Sequence, residues 1–161
     1  MSTLYQPGDR LLVASGQIGS RALRWWLNSA YSHVVPVLDV AGTTLEIRPP
    51  RPKFGSVAAY RAGKHRLLHL RPVVPWAPAQ ISAYLAAAEQ LRVQRYDLLS
   101  FAGFLLNRPK IEDGKRVNCS EGMLVMDHAA GLLTGRTLAL VSPQSYVEFA
   151  SAGLFTIIGR S

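Results

Sequence analysis

Cysteine is almost missing from this chain of 161 residues, since it occurs once, at Cys119. One cysteine excludes an internal disulfide framework and a metal site built from several thiolates. The chain also lacks the run of about 18 consecutive apolar residues that a membrane-spanning helix needs, and no basic segment precedes an apolar core at the N-terminus. We therefore expect a soluble protein without a cleaved signal peptide, either cytoplasmic or associated with a virus.

Acidic residues are scarce: 10 stand against 18 basic ones, which gives a formal net charge of +8. A basic surface attracts phosphates, anionic lipids and cell-wall polymers, but net charge concerns encounter and solubility and does not decide fold or reaction. The chain has no aromatic and basic motif of a recognised nucleic-acid-binding fold, so no specific nucleic-acid partner is expected. Contact with an anionic polymer or a membrane surface stays open.

A hydrophobic content of 48% is sufficient for one good core, which predicts a single domain over residues 1–161. Period-two patterns and apolar runs predict strands at 11–14, 31–40, 43–47, 65–73 and 154–159. Apolar spacing and composition predict helices at 21–30, 56–60, 78–93, 94–107, 119–133 and 144–150. Together they indicate the α+β class, and core packing is the expected role of Trp25 and Trp26.

The segment NCSEG, residues 118–122, precedes an apolar run and predicts the start of a helix. Asn118 is a favoured N-cap residue, and the carboxylate of Glu121 can reach back to the cap. Cys119 then lies in the first turn, where unpaired backbone N–H groups and the helix dipole stabilise an anion. We expect its thiol to be acidified, and the same N–H groups could hold an oxyanion.

A single cysteine is also a common core filler, and a cysteine nucleophile needs a base. His128 lies nine residues after Cys119 and points to the opposite side of the helix. His65 and His69 are expected to be exposed, and on a strand they lie too far apart for one metal ion. We therefore expect no metal site and no other cofactor, and His33 is the favoured base.

His33 lies near the start of the strand 31–40, and an alanine–glycine turn leads to the return strand 43–47, which carries Glu46. Under the period-two rule, both side chains point to one face. A two-residue turn pairs Val37 with Glu46, which leaves His33 about 13 Å along the strand from that pair. A carboxylate beside an imidazole would orient the ring and favour its charged form.

Six motifs in this order resemble one known family: PGDRLLV, YSHVVPVLD, TTLEI, RYDLLS, NCSEG and SPQSY. The chain resembles the permuted NlpC/P60 superfamily of papain-like cysteine hydrolases, in its YiiX/YebB-like branch, from Pro7 to about Tyr146. The resemblance implies a circularly permuted papain-like fold, with a small antiparallel sheet packed against the cysteine-bearing helix.

The same resemblance implies roles for five residues. Cys119 would be the nucleophile, His33 the general base and Glu46 the residue that orients the imidazole. Tyr96 or Tyr31 would be the aromatic residue that contacts substrate near the cleft. The implied activity is that of a cysteine peptidase or amidase that cleaves an amide bond in a peptide or a peptidoglycan fragment.

The sequence departs from the family pattern at Pro36 in the histidine strand and at Gly122 in the cysteine helix. Two other functions stay open. A lipid acyl hydrolase or acyltransferase could use the same cysteine and histidine, although relatives with that activity usually carry a second histidine where this chain has Glu46. A non-catalytic, basic binding module would instead show strongly salt-dependent binding and an unreactive Cys119.

Overall fold

The computed structural model describes residues 4–16, 18–26, 28–63, 65–96, 116–117, 119–135 and 141–160. The strands are β1 (Arg10–Ala14), β2 (His33–Pro36), β3 (Thr43–Glu46), β4 (Lys53–Ser56), β5 (Arg66–Pro72), β6 (Arg95–Tyr96), β7 (Arg116–Val117) and β8 (Phe155–Arg160). The helices are α1 (Ile18–Trp26), α2 (Val57–Ala62), α3 (Pro78–Arg92), α4 (Cys119–Ala129) and α5 (Pro143–Ser151).

Four strands form an antiparallel sheet in the order β2-β1-β5-β8. Leu12 of β1 lies opposite Val34 of β2 and Leu68 of β5, and all three are buried. Two smaller pairs accompany this sheet: β3 with β4, antiparallel, and β6 with β7, parallel. The α+β class and the small antiparallel sheet are confirmed.

The sheet separates two hydrophobic clusters because neighbouring side chains on a strand point to opposite faces. Leu12 and Val34 pack into the larger cluster with residues of α3, α4 and α5. Leu11, Val13 and Val35 pack into the smaller one, which α2 covers. His33 follows the same alternation as Val35 and lies on the α2 side, while α4 packs on the other side against α3 and β2.

The register between β2 and β3 differs from the predicted one. Val37 bridges to Thr44, whereas a two-residue turn would have placed it opposite Glu46. The shift is two residues, so the alternation is preserved and His33 and Glu46 remain on one face. Glu46 therefore lies opposite Val35, two residues from His33, whereas the predicted register places it opposite Val37, four residues from His33.

A longer turn causes this shift. The backbone N–H of Leu38 donates to the carbonyl of Thr43 at 2.8 Å, which leaves four residues in the turn. The Asp39 carboxylate accepts the backbone N–H of Thr43 at 2.9 Å, and Gly42 adopts φ +83°. An Asx-type bond and a glycine with positive φ stabilise a wider turn than the alanine–glycine pair predicts.

The predictions for two helices have opposite outcomes. α3 is confirmed: Pro78 lies in its first turn, and the side chain of Gln80 accepts the backbone N–H of Ala77 at 3.0 Å. α1 begins three residues before the predicted start, and its Trp25 is 82% exposed, so core packing is wrong for that tryptophan. Most of the predicted helix 94–107 lies outside the described residues.

A buried ion pair joins the sheet to the cysteine-bearing helix. Arg10 of β1 binds Asp127 of α4 and also donates to the carbonyl of Gly8. Tyr146 of α5 donates to the other oxygen of Asp127 at 2.9 Å, and the ring of Phe155 lies 4.2 Å from the guanidinium carbon. These contacts fix α4, and with it Cys119, relative to the sheet.

No helix within the described ranges has both the length and the apolar character needed to cross a membrane.

Candidate active site

Cys119 is the first residue of α4, and this end of the helix meets β2. β2 is an edge strand of the sheet, so some of its backbone groups are not used by β1. The backbone N–H of Val34 is near enough to the Cys119 sulfur to favour its thiolate form, and the hydroxyl of Ser120 lies 3.9 Å from the sulfur. The sulfur is therefore held beside the residue that follows His33.

Burial raises the pKa of the Cys119 thiol, and the nearby polar groups of Val34 and Ser120 offset only part of that effect. The prediction that the helix start lowers the pKa of the Cys119 thiol is therefore wrong. Desolvation penalises a thiolate more than the first turn of the helix stabilises it. At neutral pH the sulfur carries its proton.

His33 is buried, and its Nε2 accepts a hydrogen bond from Nε of Arg48 at 3.3 Å. Because Nε2 is the acceptor, the ring proton belongs on Nδ1. Oε2 of Glu46 lies 3.9 Å from Nε2, which is beyond hydrogen-bond distance. Burial and the Arg48 guanidinium lower the pKa of His33 to about 3, so the imidazole is neutral.

Glu46 is buried and has two hydroxyl donors. Thr44 donates to Oε1 at 2.7 Å, and Tyr60 of α2 donates to Oε2. Gly55 lies opposite Thr44 in the β3–β4 pair, and a Cβ atom there would lie 2.7 Å from Cγ of Glu46. The missing side chain at Gly55 leaves the space that the Glu46 side chain fills.

Arg48 is a residue that sequence reasoning missed, because it follows the strand predicted at 43–47 and lies outside every predicted element. Its Nε lies 3.6 Å from Oε2 of Glu46, and its Nη2 donates to the hydroxyl of Tyr60 at 2.7 Å. The observed bridge, extended by the period-two rule, places Arg48 opposite His33. A sequence prediction that used the observed register would have placed Arg48 opposite His33.

These contacts define one group of side chains, which we call the edge cluster: His33, Glu46, Arg48, Tyr60 and Cys119. Burial and the Glu46 carboxylate raise the pKa of Tyr60, and Cys119 contributes in the same direction, so the sulfur belongs to the same electrostatic environment. His33 and Glu46 thus lie within 3.9 Å of each other on the α2 side of β2, while Cys119 lies on the other side of the same edge strand, at the start of α4.

Comparison with known proteins shows a likeness to a solved structure. No family model matches the chain, and no curated protein matches it. A crystal structure described as metalloprotein YiiX from Escherichia coli O157:H7, DUF1105, has a TM-score of 0.66 and 17% sequence identity over 97% of each chain. The chain shares the fold of YiiX. That agrees with the YiiX/YebB-like branch suggested by the sequence motifs, and it concerns the fold alone.

The two tyrosines predicted to contact substrate have different positions in this YiiX-like fold. Tyr31 is buried in the larger hydrophobic cluster, with the Arg66 guanidinium 5.6 Å from its ring centroid. Tyr96 lies in β6, which pairs with Val117 two residues before Cys119, while its side chain lies outside the description. Tyr96 is therefore the tyrosine whose backbone pairs with the segment that leads into the cysteine helix.

A second polar cluster lies on β5, where His69 was expected to be exposed. His69 is buried, and its Nε2 lies 2.7 Å from Oδ2 of Asp9. Arg71 donates to both oxygens of Asp9, at 2.8 and 2.7 Å. The expectation was wrong because Asp9, which is 60 residues away in sequence, supplies the carboxylate that this part of the chain lacks. The cluster ties the segment before β1 to β5.

Proposed function

We propose that the protein is a cysteine hydrolase that cleaves an amide bond in a peptide or a cell-wall peptide. The observation that carries the proposal is the packing of α4, whose first residue is Cys119, against β2, the strand that carries the buried His33. We further propose that the fold is the circularly permuted papain-like arrangement of the NlpC/P60 superfamily.

In this proposal His33 takes the thiol proton as the Cys119 sulfur forms a bond to the substrate carbonyl carbon. The carbonyl electrons move to the oxygen, where backbone N–H groups at the start of α4 stabilise the negative charge. When the carbonyl reforms, the C–N bond breaks and the imidazolium gives its proton to the leaving amine. Water then attacks the thioester, His33 accepts the proton of that water, and the thiol is restored.

Glu46 would orient the imidazole by accepting a hydrogen bond from Nε2–H. The observed separation of 3.9 Å must shorten to about 3 Å for this bond to form. Its hydroxyl donors, Thr44 and Tyr60, hold the carboxylate on the correct side of the ring.

YiiX is described as a metalloprotein, but the residues of this chain do not fit a metal ion at the edge cluster. Within the described ranges, His, Cys, Asp and Glu form no group of three that could hold one. The Arg48 guanidinium also lies within 3.6 Å of both His33 and Glu46. Its positive charge would oppose the binding of a divalent cation there. The proposed mechanism therefore has no metal step.

Replacing Cys119 with alanine tests the proposal, with hydrolysis of peptidoglycan stem peptides as the readout. We expect Cys119→Ala to lower kcat by roughly 10³-fold or more, because the covalent step is lost. His128→Gln is the matched control, since His128 lies on the same helix and bonds the carbonyl of Leu133. Near-normal hydrolysis by Cys119→Ala would refute the mechanism.

A separate experiment tests which class of substrate the protein cleaves. Release of fatty acid from phospholipid vesicles, with no cleavage of stem peptides, would show that the substrate is a lipid and not a peptide. The proposed roles of Cys119 and His33 would be unchanged. We expect the opposite result, because the buried Glu46 carboxylate stands where lipid-acting relatives usually carry a second histidine.

A further inference from the structure

Arg48 differs from the rest of the edge cluster in its exposure. Its side chain is 49% exposed, whereas those of His33 and Glu46 are 10% and 9% exposed. The ring of Tyr60 lies 5.4 Å from its guanidinium carbon, and the Tyr60 hydroxyl accepts from Nη2. Arg48 thus joins the buried part of the cluster to solvent.

Arg48 also occupies the hydrogen-bonding position that the proposed mechanism requires. Nε donates to the lone pair of His33 Nε2, so that nitrogen cannot carry a proton while the contact lasts. The positive charge 3.3 Å away opposes formation of an imidazolium. Glu46 therefore cannot accept a hydrogen bond from Nε2, and the cysteine–histidine pair is held in its neutral form.

We propose that Arg48 senses the substrate: an anionic group on the substrate, a carboxylate or a phosphate, binds its guanidinium and draws it away from His33. Glu46 can then accept a hydrogen bond from His33 Nε2, and the ring can take the thiol proton of Cys119. This inference rests on the proposed hydrolase function and specifies both its substrate class and its control. In this step the His33 ring proton moves from Nδ1 to Nε2 through solvent, which leaves Nδ1 free to accept the thiol proton, and no bond between heavy atoms is formed or broken.

An anion is the appropriate ligand for three reasons. Arginine binds carboxylates and phosphates through paired, charge-assisted hydrogen bonds, which are stronger than its long contact with a neutral imidazole. The half-exposed side chain can reach such a group without opening the core. The net charge of +8 raises the local concentration of anionic substrates near the protein.

The other groups around His33 do not provide the same response. Glu46 and Tyr60 are buried and bonded to each other, and Cys119 carries its proton. The neighbouring β1 residue, Val13, is apolar. Arg48 is therefore the cationic member of the edge cluster and the one that reaches solvent.

Alkylation of Cys119 by iodoacetamide at pH 7 tests this control, because the protein has no other cysteine. The probes are inorganic phosphate and acetate, each compared with chloride at equal ionic strength. We expect either anion to accelerate alkylation of the wild-type protein by about tenfold, which corresponds to one pKa unit. Phosphate and acetate in separate arms show which anion Arg48 prefers.

Arg48→Met should react faster than the wild type in chloride and should not respond to phosphate or acetate. Arg51→Met is the matched control, since Arg51 is an exposed arginine on the same loop, and it should behave like the wild type. In parallel, NMR titration of His33 should show a higher pKa in Arg48→Met. Equal anion effects in wild type and Arg48→Met, or alkylation of Arg48→Met as slow as that of wild type, would overturn the inference.

These results separate the inference from the proposed function. Alkylation reports the reactivity of Cys119 whether or not a substrate turns over. Cys119-dependent hydrolysis combined with anion-insensitive alkylation would remove the control by Arg48 and leave the hydrolase. Hydrolysis that survives Cys119→Ala would remove the hydrolase, whatever the alkylation rates.

Discussion

At the scale of single residues, the site depends on hydroxyl groups that sequence reasoning did not select. Tyr60 donates to Glu46 and accepts from Arg48, so it joins the acidic and basic members of the edge cluster. A buried carboxylate needs such donors because its desolvation is expensive when it lacks partners. Tyr60 lies on α2, and nothing in its local sequence indicates contact with β3.

Tyr60→Phe should destabilise the protein by about 1–3 kcal/mol, because Glu46 stays buried and loses a donor. The free energy of unfolding in urea measures the effect. Tyr84→Phe is the matched control: the Tyr84 hydroxyl is buried and has no hydrogen-bond partner within the described residues, so its removal should be neutral or slightly stabilising. A larger loss in Tyr84→Phe than in Tyr60→Phe would contradict this assignment.

At the scale of elements, the strand that carries Glu46 pairs differently from the simple hairpin. β3 pairs with β4, a strand that is not among those predicted from the sequence. Four-residue β4 includes Gly55 and only one large apolar residue, so its pattern does not predict a strand. In contrast, α3 and β1 follow clear apolar patterns, and both are confirmed.

Gly55→Ala tests the importance of the β3–β4 pair for the site. The new methyl group would lie 2.7 Å from Cγ and 2.9 Å from Oε1 of Glu46, so we expect a loss of about 1–3 kcal/mol and reduced hydrolysis. Gly159→Ala in β8 is the control, since a Cβ there meets nothing within 4 Å. Thermal unfolding and stem-peptide cleavage measure both effects. If the two variants lose equal stability, Gly55 has no special role.

At the scale of the whole molecule, the Arg10–Asp127 pair connects elements that are distant in sequence. It brings β1, α4 and, through Tyr146, α5 together inside the larger hydrophobic cluster. Burial of two charges is tolerated because each has further polar or aromatic contacts. The position of Cys119 against β2 therefore depends partly on a contact at the other end of α4.

Asp127→Asn should lower the free energy of unfolding by about 3–5 kcal/mol, because the Arg10 charge stays buried without its counter-ion. The double variant Arg10→Met with Asp127→Leu removes both charges and should recover a large part of that loss. Urea denaturation of both variants makes the comparison. If the double variant is less stable than Asp127→Asn, the cost does not arise from an unpaired charge.

The sequence by itself determined the α+β class, the antiparallel strands, helix α3 and the start of a helix at Cys119, since local periodicity and capping carry that information. It also selected Cys119, His33 and Glu46. Only the tertiary structure decided the four-residue turn that brings Arg48 to His33, the carboxylate that Asp9 supplies to His69, and the protonated state of the thiol. Register, long-range pairing and burial depend on contacts between distant segments, and no local pattern records them.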